Sequence, residues 1–124
     1  MANNRPLSPH LQIYKLPITG LISITHRLTG VFLAIGLIGF VWMLAQVKSG
    51  MLDFLAMQTQ LHSVPMQLLL SCFMYALIFH LCHGVRHLIW DTGQSFTREK
   101  LTLYAVLELI LVFVLTGITL AVIL

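Results

Sequence analysis

Charged residues are scarce in this chain of 124 residues. Lysine, arginine, aspartate and glutamate make up only 9% of the sequence, whereas hydrophobic residues make up 58%. Soluble domains carry about 25% charged residues. The shortage of charge therefore excludes an ordinary soluble domain and predicts one integral membrane domain over residues 1–124.

Cysteine is equally rare, with Cys72 and Cys82 as the two instances. On one helix, their separation in sequence places the two thiols about 15 Å apart, which is too far for a disulfide. A disulfide between them is therefore excluded, and we expect both side chains to pack as small apolar groups.

Three long stretches are almost free of charge. Residues 28–47 and 54–85 have no charged side chain, and residues 101–124 have only Glu108. A helix needs about 20 apolar residues to cross a hydrocarbon core of about 30 Å. We therefore predict an all-α fold with spans at about 22–48, 64–90 and 101–124, and a short loop over 49–63. Because a charge within a span is costly, we expect Glu108 to be protonated or paired with a partner chain.

The basic residues are distributed unevenly around these spans. One of them, Lys48, lies in the first loop, whereas the others lie near the start of the first span or around the second loop. These others are Arg5, Lys15, Arg27, Arg86, Arg98 and Lys100. Since basic residues favour the cytoplasmic side, we expect a cytoplasmic N-terminus. The polar N-terminal stretch does not look like a cleaved signal peptide, which suits direct insertion into a bacterial inner membrane.

Three of the six histidines fall within two turns of the second predicted span, in the stretch HLCHGVRHLIWD. At 100° per residue, His87 lies about 20° from His80, and Gly84 lies one turn from His80 on the same seam. Ionisable groups within a span mark functional sites by default, and a neutral imidazole is a common axial ligand of haem iron. We therefore predict that His80 binds haem iron and that His87 contacts a haem propionate. His83 lies about 60° off the seam and is either a rival ligand or a helix-bridging histidine.

A six-coordinate haem needs a second ligand on its other face. His26 is expected at the cytoplasmic edge, too shallow to face His80, and His62 is expected at the far surface. The second ligand is therefore predicted to come from another chain, so that this chain forms half of a shared site.

A polar cluster is predicted at the start of the first span. Ser23 and Arg27 are i, i+4 neighbours on one helix, with His26 between them. A hydroxyl and a guanidinium in this arrangement can donate hydrogen bonds to a quinone carbonyl and stabilise the negative charge that develops on reduction. On spacing alone, the alternative that Arg27 is a membrane-surface anchor is favoured.

Two segments resemble the signatures of a known family. They are RPLSPHLQIYKLPITGLISITHRLTG at residues 5–30 and HLCHGVRHLIWDTG at residues 80–93. Both are similar to signatures of the cytochrome b anchor subunit of succinate dehydrogenase, and they occur in the right order relative to the spans. The third span matches this family only in hydropathy and length.

The resemblance implies an anchor for the flavoprotein and iron–sulfur subunits of complex II, bundled with a second, smaller anchor that shares one haem b. It implies that His80 is the axial ligand from this chain and that a histidine of the smaller anchor is the other. Ser23 and Arg27 would lie at the ubiquinone site, and His26, Arg27 and His87 near the haem propionates. Succinate oxidation would take place in the other subunits, and this chain alone would not catalyse it.

Three alternatives remain open at this point. The first is the anchor of a quinol:fumarate reductase, which runs the reaction in the opposite direction. The second is a structural membrane subunit without haem. The third is a stand-alone haem cytochrome or gas sensor, which would need both axial ligands within this chain.

Overall fold

The computed structural model describes residues 15–94 and 97–123, and these residues form four helices. In chain order they are α1 (Ile18–Ser49), α2 (Met51–Leu61), α3 (Val64–Asp91) and α4 (Arg98–Ile123). Helices α1, α3 and α4 are long and apolar enough to cross a membrane, which confirms the predicted all-α fold with three spans. Residues 5–14 of the first signature, and the last residue of the predicted third span, lie outside the described residues.

Helix α1 begins at Ile18, directly after Pro17 and a few residues before the approximate start of the predicted span. The Pro17 carbonyl oxygen accepts hydrogen bonds from the amides of Gly20 and Leu21 at 2.9 and 3.2 Å. Proline fixes its own φ and is therefore a good residue from which to start a helix.

The predicted loop over residues 49–63 is wrong, because most of it is the short helix α2. Gly50 separates α1 from α2 with a φ of 139°, a backbone conformation that favours glycine. The segment MLDFLAMQTQL that follows contains neither glycine nor proline, and Asp53 lies in its first turn, where the helix dipole favours an acidic side chain. The connection between α1 and α3 is therefore mostly helical rather than an irregular loop.

Helix α3 has nearly the predicted bounds. Ser63 precedes it, Pro65 lies in its first turn, and Gly93 follows its end with a φ of 80°. These are the expected signals for the beginning and end of a helix. Helix α3 packs against both α1 and α4 and is therefore the central helix of the bundle.

The core is small and lies at the end of the bundle where α1 and α4 begin and α3 ends. Ile22, Phe79, Ala105 and Val112 form its buried apolar cluster. On α4, Ala105, Glu108, Val112 and Thr116 are buried along one stripe. Most other large apolar side chains on the described helices are exposed, as expected for surfaces that meet lipid or other subunits.

Candidate functional site

Four imidazole rings gather between α1 and α3 near the small core. The ring of His26 lies 4.0 Å from that of His80, 4.6 Å from that of His83 and 5.7 Å from that of His87, measured between centroids. One nitrogen from each of His26, His83 and His87 lies within 4.8 Å of the others. We refer to these four residues as the histidine cluster.

The prediction that His26 lies too shallow to face His80 is wrong. Because α1 begins at Ile18, His26 is about 12 Å along that helix from its start. His80 is about 16 Å from the opposite end of α3, which finishes at Asp91. The two helices run in opposite directions, so the two rings come to nearly the same level.

The ring of His80 is held through one of its two nitrogens. Its Nδ1 lies 3.2 Å from the carbonyl oxygen of His26 and 3.3 Å from Oγ1 of Thr29. A carbonyl oxygen can only accept a hydrogen bond, so Nδ1 carries the hydrogen and donates it. Within the described residues both hydrogen bonds of this ring are made at Nδ1, which leaves the lone pair of Nε2 for a metal. Metal-ligating histidines commonly donate their other N–H to a backbone carbonyl in this way.

Glycines flank the His80 ring. A Cβ added to Gly30 of α1 would lie 3.0 Å from Cε1 of His80, so a side chain there would press on the ring. A Cβ added to Gly84 would meet nothing within 4 Å. The open space that the haem prediction requires near His80 is therefore present at Gly84, while Gly30 lets α1 approach the ring closely.

The rings of His26 and His80 are stacked, with an angle of 17° between their planes. At a centroid distance of 4.0 Å the two rings are in contact, and no flat group fits between them. In this arrangement they cannot be ligands on opposite faces of one haem. A six-coordinate iron at His80 would need its other ligand from outside this pair.

Glu108 of α4 joins the histidine cluster through two hydrogen bonds. Its Oε1 lies 2.7 Å from Nδ1 of His83, and its Oε2 accepts a hydrogen bond of 2.8 Å from Nη1 of Arg86. The other terminal nitrogen of Arg86 donates to the carbonyl oxygen of Leu101 at 2.7 Å. The expectation that Glu108 is protonated or paired with a partner chain is therefore wrong, because its partners lie on α3 of the same chain. His83 is a helix-bridging residue, which was one of its two predicted roles.

Ser23 and Arg27 lie on the same helix as His26 but on a different side of it. Ser23 is half-buried and Arg27 is exposed. Among the described residues, neither side chain makes a hydrogen bond or an ion pair. The structure therefore places His26, His80 and His87 within one cluster and leaves Ser23 and Arg27 outside it.

An apolar groove extends from Gly30 and His80 along α1 and α3 towards α2. Its volume is about 1160 Å³, and its walls are almost entirely hydrocarbon, including the stacked rings of Phe32 and Phe73. His80 lies at the polar end of this groove, where the histidine cluster begins.

Together, three membrane-length helices and a cluster of histidines whose nitrogens lie close enough to share a metal ion define a multi-pass membrane protein with a candidate metal site. Residues 1–119 match the model of the succinate dehydrogenase/fumarate reductase transmembrane subunits. The chain belongs to this family, which confirms the predicted resemblance.

Similar proteins are succinate dehydrogenase cytochrome b subunits from several organisms. The succinate dehydrogenase cytochrome b556 subunit of Rickettsia felis is 37% identical over 82% of this chain and 78% of its own length. The cytochrome b560 subunit of Reclinomonas americana is 38% identical over 91% of this chain and 82% of its own length. The cytochrome b556 subunit of Paracoccus denitrificans is 37% identical over 78% of this chain and 75% of its own length.

Proposed function

We propose that this chain is the haem b-carrying membrane anchor of a succinate:ubiquinone oxidoreductase. The main support is the state of His80, whose Nδ1 donates to a backbone carbonyl while its Nε2 remains available as a ligand. Membership of a family whose relatives are called cytochrome b subunits agrees with this assignment.

The haem would be held by residues on two sides of the cluster. His80 would bind the haem iron through Nε2, together with a histidine of a second, smaller anchor. His26, Arg27 and His87 would hold the acidic groups of the haem. In support, Nε2 of His26 is buried without a hydrogen-bond partner, and Arg27 and His87 are exposed and free to meet an anionic group. When bound, a haem b supplies a centre that accepts and releases one electron.

Ubiquinone would bind near Ser23 and Arg27. The Ser23 hydroxyl donates a hydrogen bond to a quinone carbonyl oxygen, and the Arg27 guanidinium stabilises the charge that forms as electrons arrive. Two electrons released by succinate oxidation, together with two protons, convert the quinone to a quinol. Because both side chains lie outside the histidine cluster, they remain accessible to a quinone held jointly with a neighbouring subunit.

The proposed partners are a flavoprotein subunit that oxidises succinate, an iron–sulfur subunit that conducts the electrons, and the smaller anchor. The chain lies in a bacterial inner membrane with its N-terminus in the cytoplasm. In support, Lys15, Arg27, Arg98 and Lys100 lie near the helix ends that meet at the histidine cluster, whereas Lys48 lies at the opposite end. Basic residues of this distribution favour a cytoplasmic location for the cluster end.

A second candidate is the anchor of a quinol:fumarate reductase, since the description of the matching family includes both activities. The direction of the reaction depends on the reduction potentials of the quinone and of the iron–sulfur clusters in the partner subunit. Comparing the rates of succinate oxidation and fumarate reduction by the purified complex, with its native quinone, distinguishes the two.

The test of the haem assignment is a reduced-minus-oxidised visible spectrum of the complex purified from native membranes. We expect a b-type band in the wild type and its loss or displacement in His80→Leu. His62→Leu is the matched control, because His62 is an exposed histidine at the end of α2. A complex with fully occupied and spectrally unaltered haem after His80→Leu would contradict the assignment, and a wild type without the band would favour a structural subunit. Retention of the haem by this chain when purified without other subunits would favour a stand-alone cytochrome.

A further inference from the structure

We propose that Glu108 is a positioning residue for the haem-facing histidines, acting through His83; this inference rests on the proposed haem function. Neither of the two signatures in the sequence includes Glu108 or any other residue of α4. The contacts of Glu108 nevertheless make it the link between α4 and the histidine cluster.

The first step is the charge of Glu108. Both of its oxygens are used, one by His83 and one by the guanidinium of Arg86 at 2.8 Å. Arginine remains protonated in proteins, and a buried guanidinium requires a negative partner. Both side chains are about 5–7% exposed. The carboxyl group of Glu108 is therefore ionised and can only accept hydrogen bonds.

The second step is the state of His83. Because a carboxylate has no hydrogen to give, Nδ1 of His83 must donate to Glu108. The other ring nitrogen, Nε2, is buried and has no hydrogen-bond partner among the described residues. His83 is only 1% exposed, so water does not reach it freely. Glu108 thus fixes both the tautomer of the ring and the direction of its remaining nitrogen.

The third step connects His83 with the haem-facing residues. Its ring lies 4.6 Å from that of His26 and 4.8 Å from that of His87, between centroids. These are the two histidines that would contact the propionates. A change in the orientation of His83 therefore changes the space and the hydrogen-bonding groups available to both.

Helix α4 holds this arrangement at two points. Arg86 binds Glu108 with one terminal nitrogen and the Leu101 carbonyl oxygen with the other, and its guanidinium carbon lies 4.7 Å from the centre of the Trp90 ring. The guanidinium is thereby fixed in one place, and the carboxylate of Glu108 is fixed by it. A charge-assisted network of this kind is stronger and more directional than neutral hydrogen bonds.

The test replaces Glu108 with glutamine in the complete complex and measures the haem by redox titration and by electron paramagnetic resonance. In Glu108→Gln we expect a shifted midpoint potential and altered resonance positions, because the His83 ring loses the carboxylate that fixes its tautomer and orientation. Glu99→Gln is the matched control, since Glu99 is exposed in the first turn of the same helix. Normal haem content with an unchanged potential and unchanged resonances in Glu108→Gln would overturn the inference.

A second comparison asks whether the effect passes through His83. In a His83→Phe background, which keeps a ring of similar shape without nitrogens, Glu108→Gln should change the haem signals much less. An equal change in both backgrounds would mean that the charge acts directly, and it would overturn the positioning role.

If the complex with Glu108→Gln alone does not assemble, a double variant still tests the inference. Arg86→Gln combined with Glu108→Gln removes both charges together, and we expect it to restore assembly while the resonances remain altered. Wild-type resonances in this double variant would overturn the inference. A wild-type complex without haem would instead overturn the proposed function and this inference together, so the two failures are distinguishable.

Discussion

The two faces of α3 differ sharply in their surroundings. The face towards α4 is closed, and His83 and Arg86 on it are buried in a network of hydrogen bonds within the chain. The opposite face is open, and Leu81, only two residues from His83, is 64% exposed, compared with 1% for His83. His80 and Gly84 lie at the boundary between the two faces. The chain therefore encloses the His83 side of the site with its own helices, whereas the Leu81 side is left exposed by the residues that the structure describes.

The strongest test of the closed face is removal of the cation. Arg86→Leu leaves Glu108 without its guanidinium partner inside a membrane helix pair. Breaking a buried ion pair by removing one partner costs about 3–5 kcal/mol. We expect a clearly lower melting temperature for the purified complex in detergent. Arg98→Leu is the control, since Arg98 is exposed at the start of α4, and equal melting temperatures for the two variants would contradict the role given to the closed face.

Helix α1 shows the same contrast on a smaller scale, because Thr29 is buried beside His80 while Arg27 is exposed. If the exposed side holds the quinone, Ser23→Ala and Arg27→Leu should each lower kcat/KM for quinone reduction. A lost hydrogen bond to a charged group is worth about 1.5–3 kcal/mol, which is roughly tenfold to a hundredfold. The measurement is steady-state quinone reduction by assembled complexes with normal haem content.

Thr25→Val is the control for these two variants. Its hydroxyl bonds to the Leu21 carbonyl oxygen within the same helix, so its loss should leave the rate unchanged. Unchanged quinone reduction in both Ser23→Ala and Arg27→Leu, with normal assembly, would remove the quinone assignment.

A larger side chain at Gly84 tests whether another molecule covers the open face of α3. A Cβ at Gly84 meets no atom of this chain within 4 Å, and the same is true of Gly117 on α4. Gly84→Leu and Gly117→Leu should therefore be equally tolerated by the fold of the chain. If a haem or a partner helix covers Gly84, only Gly84→Leu should lower the haem content of the complex. Overpacking typically costs about 1–3 kcal/mol, and equal haem content in both variants would show that nothing covers this face.

The sequence predicted the spans and the general place of the site because both depend on local patterns. Uncharged runs of sufficient length specify membrane helices, and the spacing of His80 and His87 specifies a shared helix side. The level of His26 relative to His80 was not predictable in the same way, because it depends on how α1 and α3 pack against each other. Neither helix carries a local sequence pattern that specifies this packing.

The partners of Glu108 were missed for a different reason. Arg86 and His83 lie on α3 and precede Glu108 by 22 and 25 positions in the sequence. Contacts between two helices leave no periodic pattern in the sequence of either helix. A useful signal was nevertheless present, because Arg86 and Glu108 are opposite charges that both fall in apolar spans. Two such charges in one membrane chain favour each other over lipid.

The smallest predicted effect concerns Thr29, on the buried side of α1. Its hydroxyl donates to the His26 carbonyl oxygen at 2.8 Å and lies 3.3 Å from Nδ1 of His80. Thr29→Val keeps the shape and removes the hydroxyl, while the carbonyl oxygen still accepts the Nδ1 hydrogen of His80. Both contacts of the hydroxyl are lost, each worth about 1 kcal/mol, while the hydrogen bond from Nδ1 of His80 to the His26 carbonyl oxygen remains. We therefore expect full haem content with a small change in midpoint potential. Loss of the haem in Thr29→Val would mean that the hydroxyl, rather than the carbonyl oxygen, holds His80 in its ligating orientation.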